Sequence, residues 1–409
     1  MAYFELDTTI SAELTAMKKE ISKFARKVMR PAGIELDKLA DPADVYAKGS
    51  VLWDVMKTFR KMHLHALGIP KELGGLAGDT SDPKASGVLF EEIGYGDAGL
   101  AISLGGSNPF RLAAASPDPK LQQIARDYVN DMDCNLIGCW AITEPSRGSD
   151  WISGVRDSFD NPDCAPELRA ELKGGEYILN GQKAAWVSNA TIASHATVHV
   201  SIDPSKGMQG NGLAVVPLDL PGVRKGKPLD KVGQRPLNQG ELFFEEVKIP
   251  KSFMVIDDPK KMQVAIKSIF TNANAGMGQV FVGLAQAAFD EALSYAKQRV
   301  QGGVPIFEHK NIKLQLFEMF TKVEAARAYA RRMAAYNTLN PPGSLHHAIA
   351  AKVFSTRTAF EVASEALTIF GGNGLTREYP IEKMFRDAKA SMIEDGENNV
   401  LSLMGSEDL

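Results

Sequence analysis

The sequence has little cysteine and no long apolar run, and both absences limit what the protein can be. Its three cysteines, Cys134, Cys139 and Cys164, are too few and too oddly numbered for a disulfide framework. Their spacing does not match a metal site, so we expect reduced, structural cysteines and no metal. No run of about 18 apolar residues occurs, and the first residues lack the basic and apolar stretches of a secretion signal. We therefore expect a cytoplasmic protein, or one that associates with a membrane only through partners.

Neither sign of charge is in excess. The chain carries 46 lysines and arginines against 50 aspartates and glutamates, which gives a net charge of -4 and a pI near 6.0. Without a basic excess, neither nucleic acid nor an anionic membrane surface is an expected partner. The sequence also lacks a P-loop, an H-E-x-x-H motif, a nucleophile elbow and a G-x-G-x-x-G after a strand pattern. The enzyme classes that depend on those motifs are thereby excluded.

What is present is a change of pattern along the chain. Apolar residues recur at helical spacing between Leu14 and Met29 and in several segments after it. In the middle, residues 196–202 alternate with period two, and Asn180-Gly181 between apolar residues predicts a β-hairpin. The helical period returns in the last third. This order predicts an α+β fold with a helical N-terminal domain over residues 1–135, a small antiparallel β domain over 136–255 and a helical bundle over 256–409.

Four segments, in order along the chain, resemble flavin-dependent acyl-CoA dehydrogenases. They are residues 69–75 (IPKELGG), 143–150 (TEPSRGSD), 242–250 (LFFEEVKIP) and 370–396, with its FGGNG, EYP, RDAK and IEDG elements. The resemblance implies a helical N-terminal domain, a β middle domain and a C-terminal four-helix bundle that enclose FAD and an acyl-CoA thioester. It also implies a homotetramer and an electron-transfer flavoprotein as the electron acceptor.

The same resemblance places the catalytic base at Asp395. Removing a proton next to a thioester carbonyl requires a carboxylate in a dry pocket, and the family usually has glutamate at this position. Aspartate is shorter by one methylene, about 1.5 Å of reach, and catalytic geometry tolerates little misplacement. Either a bulky, branched or ring-containing acyl group brings its hydrogen closer, or Glu394 or Glu397 acts as the base instead, or no base stands at this position.

A second departure from the family pattern is a missing positive charge near the base. Between residues 270 and 278, where the family often carries an arginine that orients the base, this sequence has Asn272 and Asn274. Crowded carboxylates raise one another's pKa, and Arg386 and Lys389 are nearby cations that could offset this rise. The changed base and the missing arginine keep two alternatives open: a non-redox lyase acting on a CoA thioester, and a CoA-ester-binding protein without turnover.

The resemblance assigns a first set of residues to the flavin ring. Thr143 corresponds to a threonine that hydrogen-bonds the ring, and Ser149 to a serine that contacts the flavin or its phosphates. A donor aimed at developing charge contributes directly to catalysis. Trp186 and Ser188 correspond to an indole and a hydroxyl at the ring, although one extra residue after Lys183 could turn them to the other face of the strand.

A second set corresponds to contacts with the dinucleotide across a subunit boundary. Gly371, Gly372 and Gly374 let the backbone approach a pyrophosphate closely, although such a cluster is also typical of a helix C-cap. Arg299 can pair with a phosphate. Gly302 stands where the family commonly has an aromatic residue. We therefore expect FAD to be held by loops and subunit contacts rather than by a Rossmann turn.

Overall fold

The computed structural model describes residues 5–78, 82–151, 161–407 and 409, with helices at both ends of the chain and a sheet in the middle. The helices before the sheet are α1 (Ala12–Phe24), α2 (Arg30–Asp37), α3 (Val51–Lys61), α4 (Ala85–Gly96), α5 (Ala98–Leu104), α6 (Asn108–Ala115) and α7 (Pro119–Asn130). Those after it are α8 (Pro259–Gln298), α9 (Lys310–Leu339), α10 (Leu345–Phe370), α11 (Ile381–Ser391) and α12 (Asn398–Ser406). This is the predicted α+β order.

The strands form one large sheet and a short hairpin. They are β1 (Gly138–Ala141), β2 (Arg169–Lys173), β3 (Glu176–Ser188), β4 (His195–Ser201), β5 (Asn211–Pro217), β6 (Val223–Lys225), β7 (Gln239–Pro250) and β8 (Met254–Ile256), with β9 (Val300–Gln301) and β10 (Val304–Pro305) in the hairpin. The large sheet runs in the order β6-β7-β3-β2-β4-β5-β8, with β1 beside β4. Most pairings are antiparallel as predicted, but β1 and β2 both meet β4 in parallel.

Helix α8 is the longest element and begins and ends at clear signals. The Asp258 carboxylate accepts hydrogen bonds from the backbone N–H groups of Lys260 and Lys261, and Pro259 occupies the first turn, where its missing N–H costs nothing. The helix ends where Arg299 adopts an extended conformation. Within the described ranges, neither this 40-residue helix nor any other is apolar and long enough to cross a bilayer.

The two largest hydrophobic cores of the described residues do not follow the order of the chain. The first joins α1, α3 and α4 with α8, α9 and α10, so the N-terminal helices and the C-terminal bundle share one interior. The second joins α6 and α7 with the sheet, where Phe110 and Tyr128 stack at 3.9 Å between ring centroids. The N-terminal helices are therefore shared between both cores.

The predicted hairpin at Asn180-Gly181 is wrong. The dipeptide lies inside β3, and the turn that joins β2 to β3 is formed by Gly174 and Gly175, with φ values of 57° and 90°. Glycine adopts such left-handed conformations without steric penalty. The sequence pattern located the strands but assigned their connection to the wrong pair of turn residues.

Instead, the Asn180-Gly181 pair forms an irregularity in the ladder between β3 and β7. The Asn180 side chain donates to Glu246 Oε1 at 2.6 Å and accepts from the Glu246 N–H at 2.8 Å. At Gly181 a Cβ would lie 2.8 Å from Leu168 Cα, so a larger residue would collide with the neighbouring segment. The pair thus serves a bulge and a close approach of two backbones.

Helices α4 and α8 approach each other so closely that glycine is required on both. A Cβ at Gly94 would lie 2.0 Å from the carbonyl oxygen of Val280, and one at Gly283 would lie 2.1 Å from that of Glu91. Real Cβ atoms do not approach backbone oxygens so closely, so these glycines determine the crossing of the N-terminal and C-terminal helices.

We expect Gly283→Ala to lower the free energy of unfolding by roughly 2–3 kcal/mol, because backbone atoms would have to move. Gly276→Ala on the same helix is the matched control, since nothing lies within 4 Å of its Cβ position. That control should stabilise the protein by ~0.5–1 kcal/mol. Chemical denaturation of both purified variants measures the difference; equal effects would contradict the proposed packing constraint.

Candidate active site

The turn between α11 and α12 carries three carboxylates and has an unusual backbone. Asp395 has a φ of 50° and Gly396 a φ of 103°, so two consecutive residues are left-handed. Aspartate and asparagine adopt this conformation more readily than other non-glycine residues. The residue predicted as the base therefore has the side chain that suits its backbone.

Among the described residues, the Asp395 carboxylate makes no hydrogen bond and no ion pair within bonding distance. It keeps some accessible surface but is surrounded by protein on most sides. Burial raises the pKa of Asp395, and the Lys352 ammonium partly offsets that rise. A carboxylate with free lone pairs and a raised pKa is available to accept a proton.

The two neighbouring glutamates are already engaged. Glu397 caps α12: its carboxylate accepts from the backbone N–H groups of Asn399 at 2.8 Å and Val400 at 3.1 Å. Glu394 accepts a hydrogen bond from the Gln234 side-chain amide. Burial raises the pKa of Glu394 to about 7, the Gln234 hydrogen bond acts against this rise, and the Asp395 charge adds to it.

A backbone hydrogen bond joins this turn to the segment predicted to contact the flavin. The N–H of Glu397 donates to Ser149 Oγ at 3.0 Å, across 248 residues of sequence. Thr143, in the same loop, is partly exposed, and its hydroxyl makes no hydrogen bond to another described residue. The predicted base and two of the predicted flavin contacts therefore belong to neighbouring segments.

A buried ion pair holds that loop on the sheet. Glu144 and Lys183 are both fully buried, 2.7 Å apart, and Glu144 also accepts from the backbone N–H of Glu167 at 2.7 Å. Burial lowers the pKa of Lys183 to about 8, although the Glu144 carboxylate acts against that shift. The Thr143 carbonyl accepts from the N–H of Ala184 at 2.8 Å, which completes the connection to β3.

The extra residue before Trp186 is absorbed by a bulge. Lys183 pairs with Leu242 and Val187 with Gly240, so three residues of β3 lie opposite one residue of β7. Lys183 and Val187 both remain buried. Because side chains alternate along a strand, Trp186 and Ser188 lie on the other face, where the indole is 58% exposed. Trp186 and Ser188, the two predicted flavin contacts, therefore lie on one face of β3.

A loop between β6 and β7 joins β3, the strand that carries the predicted contacts Trp186 and Ser188, to the carboxylate turn, and sequence reasoning missed it. Lys231 donates to Gln239 Oε1 at 2.8 Å, and Gln239 Nε2 donates to Ser188 Oγ at 3.2 Å. Gln234 reaches Glu394 from the same loop. A Cβ at Gly233 would lie 2.4 Å from the Arg386 carbonyl oxygen, so the loop lies directly on α11. This glycine among polar residues is the sequence signal that could have indicated it.

The cations predicted to offset the carboxylates are not the ones that do so. Arg386 forms ion pairs with Asp37 at 2.7 Å and with Glu382 at 2.7 Å. The Lys389 ammonium lies 5.4 Å from the centre of the Phe360 ring. Proximity in sequence was misleading here because successive residues of a helix point in different directions.

Among the residues that the structure describes, two lysines act on the turn. Lys352 acts on all three carboxylates and Lys231 acts on Glu394. Burial lowers the pKa of each of these lysines to about 8, although the carboxylates act against that shift. Lys352 lies on α10 and Lys231 in the loop before β7, both far from the turn in sequence.

The second predicted set lies at the other end of α10. Gly371, with a φ of 59°, ends the helix, and both Gly371 and Gly372 are exposed with nothing near their Cβ positions. Gly374 is different, because a Cβ there would lie 2.7 Å from the Leu367 carbonyl oxygen. From Lys352 to Gly371 the helix spans about 28 Å at 1.5 Å per residue. The glycine segment is therefore remote from the carboxylate turn of the same chain.

Arg299 lies near the glycine segment. Tyr295, one turn before Arg299 on α8, stacks on Phe370 at 4.0 Å between centroids, and its hydroxyl accepts from Asn373 Nδ2 at 2.9 Å. The Arg299 side chain is exposed and forms no ion pair with a described residue. His309 bonds the Gln301 carbonyl at 3.0 Å, in the hairpin that contains Gly302.

Helix α10, through Lys352, and the loop after β1, through Ser149, both bind the carboxylate turn. Three domain profiles match the chain: the acyl-CoA dehydrogenase N-terminal domain over residues 11–114, the middle domain over 139–247 and the C-terminal domain over 262–409. The chain belongs to the acyl-CoA dehydrogenase family, whose members are FAD-dependent enzymes. No cluster of three potential metal ligands occurs within the described part of the chain.

Relatives support the family at full length. A probable acyl-CoA dehydrogenase of Bacillus subtilis is 29% identical over 97% of this chain and 97% of its own. Cyclohexane-1-carbonyl-CoA dehydrogenase of Geobacter metallireducens is 27% identical over 96% of each chain. The solved structure of butyryl-CoA dehydrogenase from Megasphaera elsdenii superimposes with a TM-score of 0.85 at 26% identity, covering 98% of this chain and 99% of the other.

We expect Glu394→Gln to stabilise the protein at pH 8 but not at pH 5. The folded pKa of Glu394 is raised from 4.5 to about 7, so the stability of its protonated form is complete below about 4.5 and is lost as the pH rises through 7. Glutamine mimics the protonated form and still accepts from Gln234. Melting temperatures at both pH values measure the effect, with the exposed Glu361→Gln as control. A gain at pH 5 that equals the gain at pH 8 would contradict the assignment.

Proposed function

We propose that this enzyme dehydrogenates an acyl-CoA thioester between the carbons α and β to the carbonyl, with Asp395 as the base and FAD as the cofactor. The observation that carries the proposal is the hydrogen bond from the Glu397 N–H to Ser149 Oγ. This bond brings the turn of the proposed base to the loop of the proposed flavin contacts, and Asp395 is the carboxylate of that turn without a hydrogen-bonding partner among the described residues.

In this reaction Asp395 accepts the proton from the carbon next to the thioester carbonyl, and a double bond forms to the neighbouring carbon. FAD, when bound, would supply the acceptor for the hydride that leaves that second carbon. The raised pKa of Asp395, caused by burial and partly offset by Lys352, makes the carboxylate a stronger proton acceptor than an ordinary aspartate.

The residues present suit a flavin. Thr143 offers a partly exposed hydroxyl without a described partner, and Trp186 and Ser188 offer an indole and a hydroxyl on one face of β3. Two hydrogen bonds, through the Gln239 side chain, connect Lys231 to Ser188. These residues would hold the ring, and Gly371, Gly372, Gly374 and Arg299 would hold the dinucleotide of a neighbouring subunit.

The acyl group is proposed to be branched, alicyclic or ring-containing. The base is one methylene shorter than glutamate, so its substrate must present the acidic hydrogen closer to the turn. A relative of similar length acts on a cyclohexane-1-carbonyl-CoA, which makes a ring substrate a reasonable first candidate. For the electrons, we propose an electron-transfer flavoprotein as acceptor, as the family resemblance implies.

We expect the purified protein to bind FAD non-covalently and an acyl-CoA to bleach its absorbance under anaerobic conditions. A panel of straight, branched and cyclic CoA esters in stopped-flow mixing identifies the acyl group, and cyclic esters should react fastest. A protein that takes up no flavin on reconstitution would contradict the proposal. Conversion of the thioester without bleaching would instead indicate a lyase.

Asp395→Asn should lower the rate of bleaching by about 10²–10⁴-fold while flavin and ligand binding persist, because the proton loses its acceptor. Asparagine has the same shape and the same tolerance of the left-handed backbone, so folding should be retained. Glu394→Gln is the matched amide variant and should stay within about tenfold of the parent rate. The opposite ranking of the two variants would identify Glu394 as the base.

We further propose a homotetramer in which the site needs two chains. The glycine segment lies about 28 Å along α10 from the carboxylate turn, which suits contact with a cofactor held by a neighbour. Helix α9 also exposes an apolar face for association: Leu314, Phe317 and Phe320 are 59%, 65% and 43% exposed. Most soluble homo-oligomers are closed assemblies with point-group symmetry, which suits a tetramer.

Assembly and flavin retention should therefore be lost together. We expect Phe317→Asp and Arg299→Ala to lower both the oligomer mass, measured by light scattering, and the flavin content, measured by absorbance, with the larger mass change for Phe317→Asp. Leu172→Asp, at an exposed apolar residue of β2, is the control. A flavin-loaded, fully active monomer would refute the shared site.

A further inference from the structure

Lys352 is a buried cation placed against the turn of the proposed base. Its side chain is fully buried, and its ammonium donates to the Gly396 carbonyl at 2.8 Å and to Asn398 Oδ1 at 2.9 Å. Asn398 in turn bonds Thr356 on α10, at 3.0 Å from Nδ2 to Oγ1. The lysine thus holds the residue after Asp395 and the start of α12 at the same time.

Burying an ammonium is expensive unless carboxylates are close. The groups that favour the charged form of Lys352 are Asp395, Glu394 and Glu397, in that order. Burial lowers the pKa of Lys352 to about 8, and these carboxylates act against that shift. The cation and the acidic turn therefore depend on each other electrostatically.

The helix facing Lys352 supplies no competing charge at this point. A Cβ at Gly278 on α8 would lie 3.3 Å from the backbone N of Lys352, which shows how closely α8 and α10 pack there. One turn earlier on the same face, Asn274 is fully buried; its Nδ2 donates to the Phe270 carbonyl, and its Oδ1 has no hydrogen-bonding partner among the described residues. A neutral amide stands where α8 could have carried a cation.

Other charged groups near the base are accounted for. Glu394 lies in the same turn and repels Asp395, Lys231 acts on Glu394 from the loop before β7, and the Ser149 loop contains Arg147 and Asp150, which pair with each other at 3.4 Å. Among the described residues, Lys352 is thus the cation that acts on Asp395.

We propose that Lys352 is the positioning residue of the base: by binding the Gly396 carbonyl it fixes the left-handed turn, and by its charge it keeps the Asp395 carboxylate ionised and ready to accept a proton. This inference rests on the proposed function, in which Asp395 is the base. It assigns to α10 the orienting charge that the sequence of α8 lacks.

The test is the pH dependence of flavin bleaching by the fastest acyl-CoA of the panel. Without the cation, the carboxylate is harder to ionise, so Lys352→Met should move the apparent pKa of the base upward by about one to two pH units. Lys352→Arg keeps the charge and should stay within a few tenths of a unit of the parent. Lys322→Met, at an exposed lysine that pairs with Glu361 on α10, is the matched control and should leave the profile unchanged.

A Lys352→Met profile that is lower in amplitude but unshifted would overturn the proposal. If Lys352→Met does not fold, Lys352→Gln, which retains a donor without charge, takes its place with the same expected shift.

A stability cycle supplies a readout that does not depend on turnover. At pH 7.5, Lys352→Met should lower the melting temperature less in the Asp395→Asn background than in the parent, since the carboxylate that the Lys352 charge stabilises is then absent. Additive effects would overturn the proposed interaction. The two proposals fail separately: rapid bleaching by Asp395→Asn would refute the base, whereas an inactive Asp395→Asn with an unshifted, additive Lys352→Met would refute Lys352 alone.

Discussion

The rest of the structure depends on one buried ammonium, that of Lys383. It lies between Asp97, at 2.6 Å, and Asp387, so it joins the N-terminal helices to α11. Burial alone would lower the pKa of Lys383, but Asp387 and Asp97 raise it, so the group stays charged. Asp387 also accepts from the Gln234 N–H, which brings the loop before β7 into the same network. Removing one partner of such a pair typically costs about 3–5 kcal/mol, so these three parts of the chain hold one arrangement.

The site follows from that arrangement. Once the network fixes α11 and the loop before β7, the Gln234 side chain donates to Glu394. Glu397 accepts from the first backbone N–H groups of α12, and Asp395 has no described hydrogen-bonding partner. Three neighbouring carboxylates thereby acquire three different environments. The division resembles the usual way proteins set acid and base roles, in which the environment of each carboxylate, rather than its identity, decides its pKa.

Several expectations from sequence succeeded because they concern contiguous residues. Helical and strand periodicity placed the elements, and four short segments indicated the family that the domain profiles confirm. Those that failed concern contacts between distant residues. Asn180-Gly181 has the signature of a hairpin turn but is used at a bulge, because its partner is Glu246 on another strand. Arg386 was expected to offset the charge of the carboxylates, but it forms an ion pair with Asp37 of α2 instead.

The sequence by itself determined the order of helices and strands, the family and the candidates Asp395, Thr143 and Ser149, since periodicity and motifs are properties of neighbouring residues. Only the tertiary structure decided which groups meet. It brings Ser149 to Glu397 across 248 residues and Lys352 to Gly396 across 44, and it separates the glycine segment from the turn by the length of α10. The physical reason is that these contacts are set by glycine-mediated helix packing and buried ion pairs, whose partners lie far apart along the chain.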